Sequence, residues 1–263
     1  MNNFIGKFIT ICLLCTTPLA AFAHELWLEP EQFILQPNTD LKADIKVGQQ
    51  LNGNKYPYIK SETKSLKLFL KKKEIKLTHR DGDYPAIQSP LKNEGLHVLS
   101  YESVPEKVNY ANFEIFKTFM QEESLWETWS KQNPTLVNTN INEIYTRYAK
   151  SLIQVGNQTE DDFNTGLTFE LIALDNPYKE NNKKGINVLL LYKNKPFPNS
   201  QITIFNKINN SVSTTKVITN KEGKAFVPLE NNGLFLISSV HFIKSENKKA
   251  DWHSLWASLT FAK

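Results

Sequence analysis

Five histidines are the residues on which metal chemistry in this chain could rest: His24, His79, His97, His241 and His253. His24 stands apart because of what precedes it. Ala21-Phe22-Ala23 has the small-x-small form of a signal-peptidase site, so cleavage there makes His24 the first residue of the mature chain. A terminal histidine presents its α-amine and imidazole Nδ1 together, and the two close a chelate ring on one metal ion. The amine has a reference pKa of about 7.7–8.0, so removing its proton at neutral pH costs only about 1 kcal/mol. Nitrogen pairs of this kind suit nickel, cobalt, copper and zinc. The plainer reading is that some residue must follow the cleavage site and histidine is merely permitted.

Other ligand types are scarce. Cys12 and Cys15 are the only cysteines, and both lie in the leader. The mature chain therefore has no disulfide, no thiolate ligand and no cysteine nucleophile. Any further ligand must be histidine, carboxylate, backbone or water. His79 and His97 alternate with apolar neighbours and read as packed strand histidines. His241 and His253 lie on what read as the last two strands. They are too far apart in sequence to make a tight ligand motif.

Lys7 is the only charge before residue 25, and the run Phe8–Cys15 is apolar but short. A positive start, a short apolar stretch and the Ala-x-Ala site mark residues 1–23 as a secretory signal peptide. The run is too short to span a bilayer, and no later stretch is long and apolar enough to do so. Leu14, not a small residue, precedes Cys15, which argues against lipoprotein processing. The expected product is an exported, periplasmic chain of 263 − 23 = 240 residues, with no membrane insertion after cleavage.

The 263 residues include 40% apolar and 22% charged side chains, an ordinary globular balance. The formal charge of +4, from 31 basic and 27 acidic residues, is too small to suggest a nucleic-acid partner. Sixteen Phe, nine Tyr and five Trp against ten Gly favour strands and a substantial core.

The elements that must position the histidines read as mainly β: two β-sandwich domains of immunoglobulin or transthyretin type, with a short helical insertion. Residues 24–155 form the first domain. Leu41, Ala43, Ile45 and Val47 alternate, as do Leu66, Leu68 and Leu70, and residues 95–101 make a further strand. Lys71-Lys72-Lys73-Glu74 reads as a solvated hairpin turn. Helical spacing then appears over 111–153. Phe113, Phe116, Phe119 and Met120 form one stripe, followed by Trp126 and Trp129. Ile141, Ile144, Tyr145, Tyr148 and Leu152 fit a second helix, with Asn140 and Glu143 as its capping pair. The polar stretch 156–162 marks a domain boundary. Residues 165–263 resume strand alternation with turn signals at regular spacing, the pattern of a second sandwich.

Three stretches carry a resemblance. His24-Glu25-Leu26-Trp27-Leu28-Glu29-Pro30, the run Tyr145–Gly156, and Val240-His241 followed by Asp251-Trp252 and Trp256–Phe261 resemble an exported bacterial family. That family is labelled an uncharacterised domain or a nickel-uptake transporter family. It is also described as the periplasmic component of a cobalt or nickel transport system. The resemblance covers nearly all of residues 24–262. It implies a transthyretin-like or Cna-B-like C-terminal module, a nickel or cobalt ion as cargo, and a membrane metal transporter as partner. His241 matches the family's Val-His pattern, which makes it a candidate ligand beside His24. The family usually has an acidic residue where this chain has His253, so His253 is either an extra ligand or a neutral change on a packed strand.

Three functions thus stand at this stage. The first is a periplasmic nickel- or cobalt-binding protein assisting uptake, with His24, His241 and His253 as candidate ligands and no enzymatic activity; copper suits the same atoms. The second is a carbohydrate- or protein-binding sandwich that uses its aromatics and no metal. The third is a copper-dependent oxidative enzyme whose terminal histidine pairs with a second one.

Overall fold

The structure, a computed structural model, describes residues 24–110, 112–136, 140–158, 160–229 and 232–263. The expected signal peptide, 1–23, lies outside the described residues. In chain order the first strands are β1 (Glu25–Pro30), β2 (Ile34–Leu35), β3 (Thr39–Gln49), β4 (Asn52–Tyr56), β5 (Thr63–Leu70), β6 (Lys73–Ile75), β7 (Ile87–Leu91), β8 (Gly95–Ser103) and β9 (Glu106–Tyr110). Two helices follow, α1 (Phe113–Glu122) and α2 (Trp126–Gln132), and then the long strand β10 (Ile141–Val155). The remaining strands are β11 (Phe169–Ala173), β12 (Gly185–Tyr192), β13 (Lys195–Pro196), β14 (Gln201–Ile208), β15 (Ser211–Ile218), β16 (Lys224–Pro228), β17 (Leu234–Lys244) and β18 (Trp252–Ala262). The mainly β expectation holds.

These strands form three sheets. The central one has ten strands, in the order β15-β14-β17-β18-β10-β8-β5-β6, with β2 and β9 also paired to β10. A four-stranded sheet of β1, β3, β4 and β7 covers one face, and one of β11, β12, β13 and β16 covers the other. Leu26, Leu28, Leu41 and Ile45 pack on Leu99, Ala149 and Ile153 across the first interface. Phe169, Leu171, Val188 and Leu190 pack on Tyr148, Leu152, Leu255 and Leu259 across the second. The helices lie on the same face as β1, where Phe116, Phe119 and Trp129 meet Val240, Trp252 and Trp256.

The sheet joins the two segments expected to be separate domains. β5, β8 and β10 come from the first segment and β14, β17 and β18 from the second, and β10 pairs with β18 in parallel. The two expected sandwiches therefore share their middle layer. A fully buried ion triad also crosses the 156–162 loop: Lys150 Nζ lies 2.8 Å from Asp162 Oδ1 and 3.0 Å from Glu170 Oε1.

The helical reading is correct over Phe113–Glu122 and Trp126–Gln132, where Asn112 caps α1 by accepting a hydrogen bond from the Glu114 N–H. It is wrong over 141–153, which is β10, the strand at the heart of the central sheet. The cause is burial on both faces. Ala149, Ile153 and Val155 enter one core while Tyr148 and Leu152 enter the other, so the period-2 alternation that marks a half-buried strand is erased. What remains is a coincidental helical stripe over residues that are largely β-branched or aromatic, types that prefer strands. Glu143 is no capping residue: it is buried and accepts a hydrogen bond from Ser254 Oγ.

The lysine-rich turn reads correctly. Lys71 and Lys72 both have positive φ, as a tight two-residue hairpin turn between β5 and β6 demands.

Candidate functional site

Strand β1 determines where His24 stands. It pairs with β3 from Glu25↔Gly48 to Pro30↔Ala43. It also rests on the central sheet, because Ser258 Oγ donates to the Leu26 carbonyl at 2.7 Å and Thr260 Oγ1 to the Leu28 carbonyl at 2.6 Å. Alternation along β1 then sends Leu26 and Leu28 into one core and Trp27 into another, against Leu51, Phe205 and Leu236. A strand fixed on both sides and along its backbone is a rigid mount for the residue before it.

Arg147 completes that mount. Its Nε donates to the His24 carbonyl at 3.1 Å, and its Nη1 lies 3.3 Å from Glu106 Oε1. The guanidinium is also held 4.4 Å over the Tyr145 ring, whose hydroxyl donates to Glu106 Oε2 at 2.8 Å. This role of Arg147 is hidden in the sequence, where its segment has the spacing of a helix and not of the strand β10 it forms.

His24 lines an open cleft of about 890 Å³ between the β3–β4 hairpin and the β14–β15 turn. The other polar walls are the carboxamides of Gln49, Gln50, Asn52, Asn54 and Asn210, with the Lys207 ammonium. The hairpin turn has Gln50 and Leu51 at φ 51° and 56°. Left-handed backbone costs a non-glycine residue roughly 1–2 kcal/mol. Burial of Leu51 against Trp27 offsets it and fixes the amide-rich wall. The signal for this wall was present as Gln49-Gln50-Leu51-Asn52-Gly53-Asn54, a polar turn at the end of an alternating strand.

A second cleft adjoins the first across Gln49 and Gln50. It holds the side chains of Glu25, Glu122 and Glu123, with Lys216. Burial first, then the charge of Glu122, pushes the Glu25 carboxyl up to about 7. Burial and the charge of Glu25 push Glu123 up to about 8.

The other candidate ligands lie elsewhere. In the β17–β18 ladder His241 faces Leu255 and Ile243 faces His253, so both histidines share the face that packs on β11 and β12. Ser258, Thr260 and hence β1 occupy the opposite face. The central sheet therefore stands between His24 and the pair His241 and His253, and the expected three-histidine site is not assembled. The physical reason is strand parity: residues one apart on β18 point to opposite sides.

His241 is boxed by Phe197 at 4.4 Å and Tyr192 at 4.7 Å, and burial pushes its pKa down to about 4. The His253 ring nitrogen Nε2 is 2.9 Å from Thr146 Oγ1, and burial lowers its pKa as well. His97 is buried with Nδ1 3.2 Å from the Gly95 carbonyl, and the His79 ring packs at a tilt against Tyr58, 4.1 Å between centroids. Among the described residues, no group of three His, Cys, Asp or Glu side chains is gathered closely enough to hold a metal ion by itself. No described helix is long and apolar enough to cross a membrane.

Comparison with known proteins places the chain without assigning it a task. A solved structure, the tetra-tandem repeat in the extending region of a large adhesion protein, is similar at 8% identity and a TM-score of 0.22. That alignment covers 91% of this chain and 49% of the other, so the chain spans about half the length of that structure. No curated protein matches. The model of a domain of unknown function, DUF4198, matches residues 21–242, so the chain belongs to the DUF4198 family.

Proposed function

We propose that the mature chain is a periplasmic metal-binding protein. It takes up a nickel or cobalt ion at His24 and assists its uptake by a membrane metal transporter. Copper is accommodated by the same atoms. The observation that carries this reading is the mounting of His24. A chain beginning there would place an amine and an imidazole at the end of a strand fixed by Ser258, Thr260 and Arg147, at the wall of an open cleft. The two nitrogens close a chelate ring, and the rigid strand lowers the ordering cost of binding. His241 and His253 are not needed for this ligand set.

The test is calorimetry of Ni(II) binding to two forms of the protein. One begins at His24; the other retains a methionine before it. The first is expected to bind and the second to lose tight binding, because its histidine no longer carries the free α-amine. Equal affinities would remove the amine from the site. Absence of binding in the first form would overturn the metal reading.

A further inference from the structure

We infer that the cargo received at His24 is a metal ion already held by a small carboxylate-bearing chelator, and not the bare aqua ion. This rests on the reading that His24 binds the metal. Three observations point the same way.

The first is the ligand count. His24 offers two nitrogens, while nickel and cobalt take up to six donors. Among the described residues no group of three His, Cys, Asp or Glu side chains is positioned to supply the rest. The remaining donors must arrive with the metal or be water.

The second is the charge of the cleft. Its polar walls are five carboxamides and one ammonium, with no carboxylate among the described lining residues. Lys207 Nζ donates to the Leu51 carbonyl at 3.1 Å, which holds the ammonium at the cleft wall with hydrogens to spare. A divalent aqua ion is repelled by that ammonium. A chelate whose carboxylates outweigh the metal is attracted to it through a charge-assisted hydrogen bond. The carboxylates of Glu25, Glu122 and Glu123 belong to the neighbouring cleft, which shares Gln49 and Gln50 with this one.

The third is size and polarity. Six waters around a metal occupy on the order of 200 Å³, whereas the cleft offers about 890 Å³. Carboxamides both donate and accept, so Gln49, Gln50, Asn52, Asn54 and Asn210 can meet the carboxylate and hydroxyl oxygens of a small polar chelator together.

The experiment titrates the mature protein, beginning at His24, with nickel chloride in a non-coordinating buffer, with preformed 1:1 nickel citrate, and with citrate alone. Nickel citrate is expected to bind about tenfold more tightly than nickel chloride, the effect of one charge-assisted contact. Citrate alone is expected to bind far more weakly than either. Lys207→Ala should lose the preference, binding nickel citrate more weakly and, with the repelling ammonium gone, nickel chloride at least as tightly. Asn54→Asp, which places a like charge in the wall, should reverse the preference; thermal melts confirm that both variants fold. Equal or tighter binding of nickel chloride overturns the inference and leaves the metal reading standing. So does a preference that survives both substitutions. Citrate binding as tightly as its nickel complex makes the cleft a plain anion site and overturns the inference. If neither nickel form binds, the metal reading itself falls.

Discussion

Lys150→Met tests how the two halves of the chain are held together. The Lys150 ammonium is buried on β10, within 3.0 Å of Asp162 and Glu170, and also donates to the Phe163 carbonyl at 2.9 Å. Methionine keeps nearly the same volume, so packing changes little. What changes is charge. Asp162 retains hydrogen bonds from the Phe163 and Ala173 N–H groups, and Glu170 from those of Thr165, Gly166 and Leu167. Among the described residues Lys150 is the only cation paired with either carboxylate, and both carboxylate side chains are fully buried. Breaking a buried ion pair by removing one partner costs about 3–5 kcal/mol. With a urea m-value of about 2–3 kcal/mol/M for a chain of this size, the midpoint should fall by roughly 1–2 M. The assay is equilibrium urea unfolding at pH 7, followed by tryptophan fluorescence. A loss below about 1 kcal/mol would refute the coexistence of three buried charges at this point. The deficit should also shrink as pH falls, because protonating either carboxyl relieves the uncompensated charge.

Other outcomes follow from the same structure. The Glu143 carboxyl is pushed up to about 7 by burial. Stability from its neutral form is therefore full below the unfolded value of 4.5 and is lost as pH rises to 7. Glu143→Gln should melt higher than the parent at pH 8, by up to about 3 kcal/mol, with no gain at pH 4; equal melting at pH 8 would sink this. His241 runs the other way. With a folded pKa of about 4, its contribution is full above 6.5 and is lost as pH falls toward 4, so His241→Phe should flatten the acid limb of the stability profile. If nickel binds at His24 and raises the melting temperature, as proposed above, His241→Ala and His253→Ala should each keep that rise, since both lie across the sheet from His24; loss of the rise in either would place that residue at the metal. A Cβ at Gly53 would stand 2.5 Å from the Val47 carbonyl oxygen and 2.6 Å from Trp27 Cη2. Gly53→Ala should therefore cost about 1–3 kcal/mol by overpacking, read by chemical denaturation; a neutral result would show that the hairpin shifts freely.

Strands with one wet face were legible from sequence. Leu41, Ala43, Ile45 and Val47 alternate because Lys42 and Lys46 keep to the other side of β3, and the turn at Lys71 and Lys72 announces itself by its polarity. The helices were legible because Phe113, Phe116, Phe119 and Met120 face one core and solvent takes the remainder. β10 was not legible, since both its faces are buried and its polar residues, Glu143, Arg147 and Lys150, are each satisfied by partners outside the strand. Sequence alone singled out His24 by its place after Ala23. It could not separate His24 from His241, because parity in a ladder joining distant segments is a property of register, and register is not written in either strand alone.

The seating of β1 has a consequence for the order of events during folding. Ser258 and Thr260 grip the Leu26 and Leu28 carbonyls across 232 residues of chain, and β10 reaches its parallel neighbour β18 only after more than a hundred residues have intervened. Contacts of such long range are slow to form, because loop closure must be met before any of them contributes. The middle of the central sheet cannot close until the last strand has been made and delivered. Until then β1 has no floor, and the segment bearing His24 stays undocked. A chain built this way completes its fold only once its C-terminus is available, so the cleft at its N-terminal end is among the last parts of the molecule to form.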